Sequence, residues 1–448
     1  MGNPYALCRC IALHNYTAIY YSDHMCYTIC RMANARETHM SKPTHVRPAD
    51  IHGVSRMATD AILGITDLVE TLHSTILRVP SIFGAPLNQP TSGITGLIYM
   101  SIRTITILVG GGIGLALVPF MQMLRDRPSS PERDAILAAL NGVVGDYLQV
   151  SNNPLAITMC VRIDGQPVEL TKPALAAAVP QASNKILLMV HGLCLTDQHW
   201  EHEGHDRGAL LAAERGYTSV YLHYNTGLHI STNGRALADI LATLTDAWPV
   251  PVADLAIVAH SMGGLVSRSA CHYGTLATYD WVQHLRALIF LGTPHHGSKL
   301  ERAGNWLDTL LMNSPYTAAF ARLGQIRSAG ITDLRYGNLI DEDWMDRDRF
   351  SHADDPRQPV PLPAGVACYA IAATTGSIEG DLQDQLPGDW LVPVESALGA
   401  HPNPDQDLPL HEQWVGYSMN HLELLHRAEV YAQISQWLAQ LPERLRNV

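Results

Sequence analysis

Residues 255–264 read Leu-Ala-Ile-Val-Ala-His-Ser-Met-Gly-Gly, and the fold class turns on them. Leu255 to Ala259 is a short apolar run, as a strand buried on both faces requires. Gly263, Gly264, Leu265 and Val266 open a helix. One serine, Ser261, stands where strand must become helix. That turn is tight, so the residues two before and two after the serine must be small. Here they are Ala259 and Gly263, an A-x-S-x-G variant of the G-x-S-x-G nucleophile elbow. The geometry lifts a hydroxyl above the end of a sheet. It also puts the next backbone N–H, that of Met262, where the charge of an oxyanion would develop.

Outward from this stretch, strands are expected at Ile186–Val190, Ser219–Leu222, Ala287–Leu291 and Val366–Ala372. Helices fill the gaps, notably Asn233–Ala247 and Leu265–His272. The alternation predicts an α/β protein with a mostly parallel sheet and helices on both faces. Leu155–Arg162 and Val168–Leu170 flank Asp164-Gly165 and read as a hairpin, with a loop over Thr171–Ser183. Before them, apolar positions from Val54 to Ile76 recur at helical spacing. A second helix, Ala135–Leu140, is expected to be interrupted by Asn141-Gly142. Ser298–Arg357 shows no strand pattern and reads as a helical cap or insertion. The chain closes on an amphipathic helix, Leu422–Leu441. The expected organisation is an extension over 1–39 that is disordered or non-native, a helical region over 40–150 placed to cover the active site, and a catalytic domain over 151–448. Ordered patterning begins only after Met40, the expected translation start.

An apolar content of 47% and a charged content of 16% describe a chain with ample core. The net charge of −12 and the lack of any basic block exclude a nucleic-acid footprint. Eight cysteines are too few for a disulfide scaffold. Cys8, Cys10, Cys26 and Cys30 are spaced too irregularly for zinc, and Cys194 and Cys271 sit in or beside apolar runs, as free thiols do. Arg9 breaks the only apolar stretch near the start, so no secretory leader is expected. Between Arg103 and Arg125 lie 21 uncharged residues. They read either as a membrane span or as a buried or membrane-touching helical hairpin. The Gly110–Gly112 triplet, Pro119 and two threonines favour the hairpin and a peripheral membrane contact.

A serine hydroxyl is a poor nucleophile until a base takes its proton, and the base needs an acid to orient it. For an elbow serine the chain order is Ser, acid, His. Asp389, between a loop and the apolar run Leu391–Val394, is the expected acid, with Glu379, Asp381, Asp384 and Glu395 as competitors. His421, joining the strand-like Trp414–Ser418 to the terminal helix, is the expected base, with His411 and His426 as competitors. His191-Gly192-Leu193 follows the first parallel strand. The Leu193 N–H is the expected second oxyanion donor, and His191 the support of its turn. His191, Gly192, His260, His295 and Trp390 are expected to line the substrate cleft, with His296 a wall or loop support. His199, His202, His205 and Asp206 have a spacing that could bind zinc. Their glutamate and glycine neighbours favour a solvated loop, so neither metal nor cofactor is expected.

Taken together, V-H-G-L, Y-N-T-G-L-H-I-S, A-H-S-M-G-G, L-G-T-P-H-H-G-S, G-D-W-L-V-P-V and M-N-H-L resemble the α/β-hydrolase superfamily over about 185–441. Within it they resemble bacterial lipases and esterases and the lipase-like GPI inositol-deacylase group. The resemblance implies carboxylic-ester hydrolysis through an acyl-enzyme. Trp390 departs from the small residue usual beside the acid. The apolar cap and N-terminal region point to a lipophilic substrate: a medium-chain ester, a lipid or a polyester. The same residues would serve a serine-dependent acyltransferase, and a catalytically silent binding module would carry them by ancestry.

Overall fold

The computed structural model describes residues 47–78, 129–298, 327–347, 357–377 and 388–441, with positions 100, 102–104, 106, 107, 111 and 355. All of them belong to one unit, Thr44–Val448. Eight strands form a single sheet: β1 (Cys160–Ile163), β2 (Gln166–Pro167), β3 (Lys185–Val190), β4 (Thr218–His223), β5 (Asp254–His260), β6 (Leu285–Leu291), β7 (Ala367–Ala373) and β8 (Glu412–Gly416). Their spatial order is 2-1-4-3-5-6-7-8. From β4 to β8 every neighbouring pair is parallel, and β1 runs antiparallel to both β4 and β2. A parallel sheet with this order and a strand–serine–helix turn at the centre has the α/β-hydrolase fold.

The central strands are continuous apolar runs because both of their faces are covered. In β5, Leu255, Ile257 and Ala259 enter the core on one face, and Ala256 and Val258 the core on the other. Helices α1 (Pro48–Arg78), α2 (Pro131–Val150), α3 (Arg207–Arg215), α4 (Ile230–Ala247), α5 (Met262–Leu276) and α6 (Ala428–Ala439) surround the sheet. Leu237, Leu241 and Leu244 of α4 join the first core, and Val430, Ile434 and Trp437 of α6 the second.

Several expectations are corrected. The expected interruption comes two residues after Asn141-Gly142: α2 kinks at Val144 (φ −133°, ψ 22°) and then runs on to Val150. Asn141 is buried and acts as a tie: its Nδ2 donates to the carbonyls of Leu137 and Leu155, and its Oδ1 accepts from the Ile157 N–H. Gly142 lets the helix touch Cys194, since a methyl there would fall 2.2 Å from the Cys194 sulfur. The pair is therefore a contact surface, and the break follows it at Val144. The hairpin is shorter than expected. Asp164 and Gly165 take φ of 49° and 70°, the left-handed pair of a tight two-residue turn, but only 160–163 and 166–167 are paired. The expected loop after it holds a two-turn helix, Lys172–Ala178, capped by the Thr171 hydroxyl. The terminal helix begins at Ala428, and 423–425 form a 3₁₀ turn.

Cys160, Cys194, Cys271 and Cys368 are free thiols. Cys8, Cys10, Cys26 and Cys30, Met40 and most of 103–125 lie outside the described residues. Much of 298–357 does too; its described part, 327–347, is a short helix and a 3₁₀ turn without strand. Among the described residues no helix is long and apolar enough to cross a membrane.

Candidate active site

At the end of β5 the chain reverses into α5 through Ser261, whose backbone has φ 55° and ψ −124°. A non-glycine residue at positive φ is strained, and the strain holds because its surroundings fix it. The Ser261 N–H donates to the Leu291 carbonyl of β6 at 2.8 Å. Close approach explains the small neighbours. A methyl on Gly263 would lie 2.6 Å from the His191 carbonyl oxygen, and one on Gly192 would lie 3.0 Å from Ser261 Cβ. The His191-Gly192-Leu193 turn therefore packs directly on the serine.

His421 and Asp389, 32 residues apart in sequence, meet at the other side of this turn. His421 Nδ1–H donates to Asp389 Oδ2 at 2.6 Å, and the His421 N–H donates to the Asp389 carbonyl at 3.2 Å. The other carboxylate oxygen accepts from the N–H groups of Leu391 (2.9 Å) and Val392 (2.7 Å). Asp389 is 1% exposed and His421 2%, so the carboxylate is held in one orientation by four bonds through its side chain and backbone. With Nδ1 carrying the proton, Nε2 presents a lone pair. Nε2 is buried and has no hydrogen-bond partner.

His260 joins the two halves. Its Nε2–H donates to the His421 carbonyl at 3.0 Å, and the two rings lie 4.7 Å apart. Complete burial, together with the facing His421, drives its pKa well below the usual histidine value, so it stays neutral. His191 is also neutral, its pKa pushed down to about 3, chiefly by burial. Its Nδ1–H donates to the Gly192 carbonyl, its ring stacks on Tyr224 at 4.6 Å, and the Tyr224 hydroxyl donates to its carbonyl. The backbone N–H groups of Leu193 and Met262 find no acceptor among the described residues, and both residues are buried (1% and 0% exposed).

Of the other expected residues, Trp390 is half exposed beside Asp389 at φ 80°. The His295 ring packs on Phe290 and faces Arg268. His296 donates to the Gly399 carbonyl through Nε2. Glu395 is exposed, and Glu379, Asp381 and Asp384 lie outside the described residues. His426 stacks on His202, and His411 touches Tyr369. His199 caps its own turn by accepting from the Thr196 N–H. Among the described residues no cluster of three or more metal-binding side chains forms.

One group escapes a reading of the sequence. Arg162 Nη1, on β1, donates to Asp134 Oδ2 and Asp197 Oδ1, both at 2.9 Å, and all three side chains are buried. Asp197 follows the 191–196 turn directly, so α2 and β1 clamp that turn through charge. Burial pushes the Asp197 carboxyl up, but His223 and the Arg162 guanidinium outweigh it and hold the carboxyl below its usual range. The signal was a lone arginine inside an apolar strand pattern.

A family profile described as a domain of unknown function (DUF7379) matches residues 160–334. No protein of curated function matches the chain by sequence. Among solved structures, the chain is similar to mature lipase BlEst2 of Bacillus licheniformis, at 19% identity over 63% of this chain and 98% of that one, with a TM-score of 0.37. It is also similar to esterase Pf2001 of Pyrococcus furiosus (14% identity, 58% of this chain, 84% of that one, TM-score 0.35). Lipase 1 of Pelosinus fermentans is similar at 11% identity, over 58% of this chain and 100% of that one, with a TM-score of 0.35.

Proposed function

We propose that the protein is a serine carboxylesterase or lipase that works through an acyl-enzyme. The observation that carries the reading is the 2.6 Å His421–Asp389 pair, with Nε2 left unpartnered in the group that holds Ser261. Ser261 Oγ attacks the ester carbonyl carbon while its proton passes to His421 Nε2. Asp389 stabilises the imidazolium that forms and fixes the tautomer that made Nε2 an acceptor. The tetrahedral oxyanion is taken by the N–H groups of Leu193 and Met262, where one well-placed donor contributes about 3–4 kcal/mol. The alkoxide leaves with the proton from His421. Water then repeats the sequence on the acyl-enzyme and frees the acid. His191, Gly192, His260 and Trp390 shape the surrounding walls. No cofactor enters these steps.

Supported by the apolar character of the sequence outside the sheet, the substrate class is a lipophilic or medium-chain ester, a lipid or a polyester, with peripheral membrane contact through 103–125. Within the superfamily the motifs point to the lipase-like GPI inositol-deacylase group. A p-nitrophenyl ester series from two to sixteen carbons, run on wild type and Ser261→Ala, tests the reading. Turnover is expected to peak at a medium chain length and to fall about a thousandfold or more in the variant. Equal turnover by the two proteins would overturn it. Acyl groups passed from the acyl-enzyme to an added alcohol in preference to water would instead make it an acyltransferase.

A further inference from the structure

His260, the residue before Ser261, ends β5 and is 1% exposed. Its Nε2 lies 3.0 Å from the His421 carbonyl oxygen. A carbonyl only accepts, so the proton of this ring sits on Nε2 and Nδ1 is a bare lone pair. Nδ1 is buried without a donor, against the backbone of Gly192, where an added methyl would lie 2.9 Å from it. Among the described residues, then, the hydrogen bonding of this ring goes to the main chain of the expected base.

Two other bonds hold His421, and both run to Asp389, one from Nδ1 and one from the main-chain N–H. They fix the base to the acid but leave the pair free to shift as a body relative to the serine. The bond from His260 is different, because a peptide bond joins His260 to Ser261. Among the described residues no other hydrogen bond joins 259–264 to Asp389 or His421. Packing adds a wall on the β6 side, since a methyl on Gly292 would lie 3.0 Å from His421 Nδ1 and Cε1. A wall stops the ring in one direction only, whereas a hydrogen bond fixes a distance.

Charge narrows the choice of residue for this tie. A cation beside His421 would oppose the imidazolium that forms when Ser261 reacts. Burial and the facing His421 keep the His260 ring neutral while it donates. A lysine or an arginine could donate as well, but it would bring the opposing charge.

We propose that His260 is a positioning residue for the ester chemistry. Its Nε2–H holds the main chain of His421 at a fixed distance from Ser261, and so sets the reach of the base to the nucleophile. This rests on the reading of Ser261 as that nucleophile.

Kinetics with a p-nitrophenyl ester on His260→Leu, His260→Gln and His260→Asn, beside Ser261→Ala, test it. Leucine has no donor, glutamine places an amide N–H near the position of Nε2, and the asparagine amide stops one bond short. Misplacing a reacting group by about 1 Å costs on the order of 10² in rate. His260→Leu is accordingly expected to lose about a hundredfold in kcat, with KM changed less than about threefold. His260→Gln is expected to regain at least about tenfold, and His260→Asn to stay with His260→Leu. Circular dichroism melts set an assay temperature at which the variants are folded. If His260→Leu does not fold, the contrast between glutamine and asparagine decides. A kcat in His260→Leu within about threefold of wild type, a loss confined to KM, or a glutamine variant no faster than the asparagine one would each overturn the proposal. Equal turnover by Ser261→Ala and wild type would instead overturn the reading beneath it.

Discussion

His421 Nδ1 donates to Asp389 Oδ2 at 2.6 Å, and Asp389 is in turn pinned by the N–H groups of Leu391 and Val392. The carboxylate has no freedom to choose another partner, so the imidazole has none either. Asp389→Asn keeps the shape but lets the side-chain amide donate to Nδ1, which moves the proton to Nε2 and removes the acceptor. Ester turnover is expected to fall by about four orders of magnitude with the fold intact. Steady-state kinetics beside a circular dichroism melt check this, and a loss under tenfold would contradict the role given to the pair.

A methyl on Gly192 would meet His260 Nδ1 at 2.9 Å and Ser261 Cβ at 3.0 Å. Gly192→Ala is expected to push the Leu193 N–H away from its place at the serine. Losing one oxyanion donor costs about 10²–10³ in kcat, with KM changed far less. A shift confined to KM would mean that the turn touches only bound substrate.

Arg162 holds two buried carboxylates, and removing it leaves Asp134 only Arg133 at 3.9 Å and Asp197 only His223 at 3.6 Å. Arg162→Met is expected to cost about 3–5 kcal/mol of stability, read as a lower urea midpoint. Because Asp197 anchors the turn that carries Leu193, kcat at temperatures where the variant is folded should fall more than KM rises. Unaltered stability would show that the charges are compensated elsewhere.

Trp390 sits at φ 80° with half its surface exposed. The left-handed region costs a residue with a Cβ roughly 1–2 kcal/mol. Trp390→Gly removes that strain, partly offset by the greater freedom of glycine in the unfolded chain. A net gain of about 0.5–1 kcal/mol is expected, seen as a higher Tm; a lower Tm would show that the indole packs on the site.

His191 stays neutral in the fold down to about pH 3, and His260 and His295 are shifted in the same direction by burial. In the unfolded chain each takes a proton near pH 6.5. Below that pH the unfolded state binds protons that the fold refuses. Stability contributed by the neutral rings is complete above about pH 6.5 and is lost as the pH falls, by about 1.4 kcal/mol per unit for each group. The urea midpoint should drop steeply from pH 7 to pH 5, and His191→Gln should lessen the slope. A flat profile would contradict the burial of these rings.

The sheet was legible because its strands are uninterrupted apolar runs, and the elbow because small residues bracket Ser261. Asp389 and His421 follow from topology, which puts strand ends together. The Asn141-Gly142 pair marked the break in α2 only to within two residues, since contacts with Leu155, Ile157 and Cys194 hold the pair itself in the helix and the kink falls at Val144. The Arg162 clamp and the Arg268–His295 contact were hidden for a related reason. Pairings between residues 27 to 35 positions apart leave no local period in a sequence.

Labelling with a fluorophosphonate, followed by peptide mapping, tests the central claim most directly, since the reagent esterifies only an activated hydroxyl. One adduct on Ser261 is expected, lost in Ser261→Ala and strongly slowed in His421→Ala. An adduct on another residue, or native protein left unlabelled, would contradict the account.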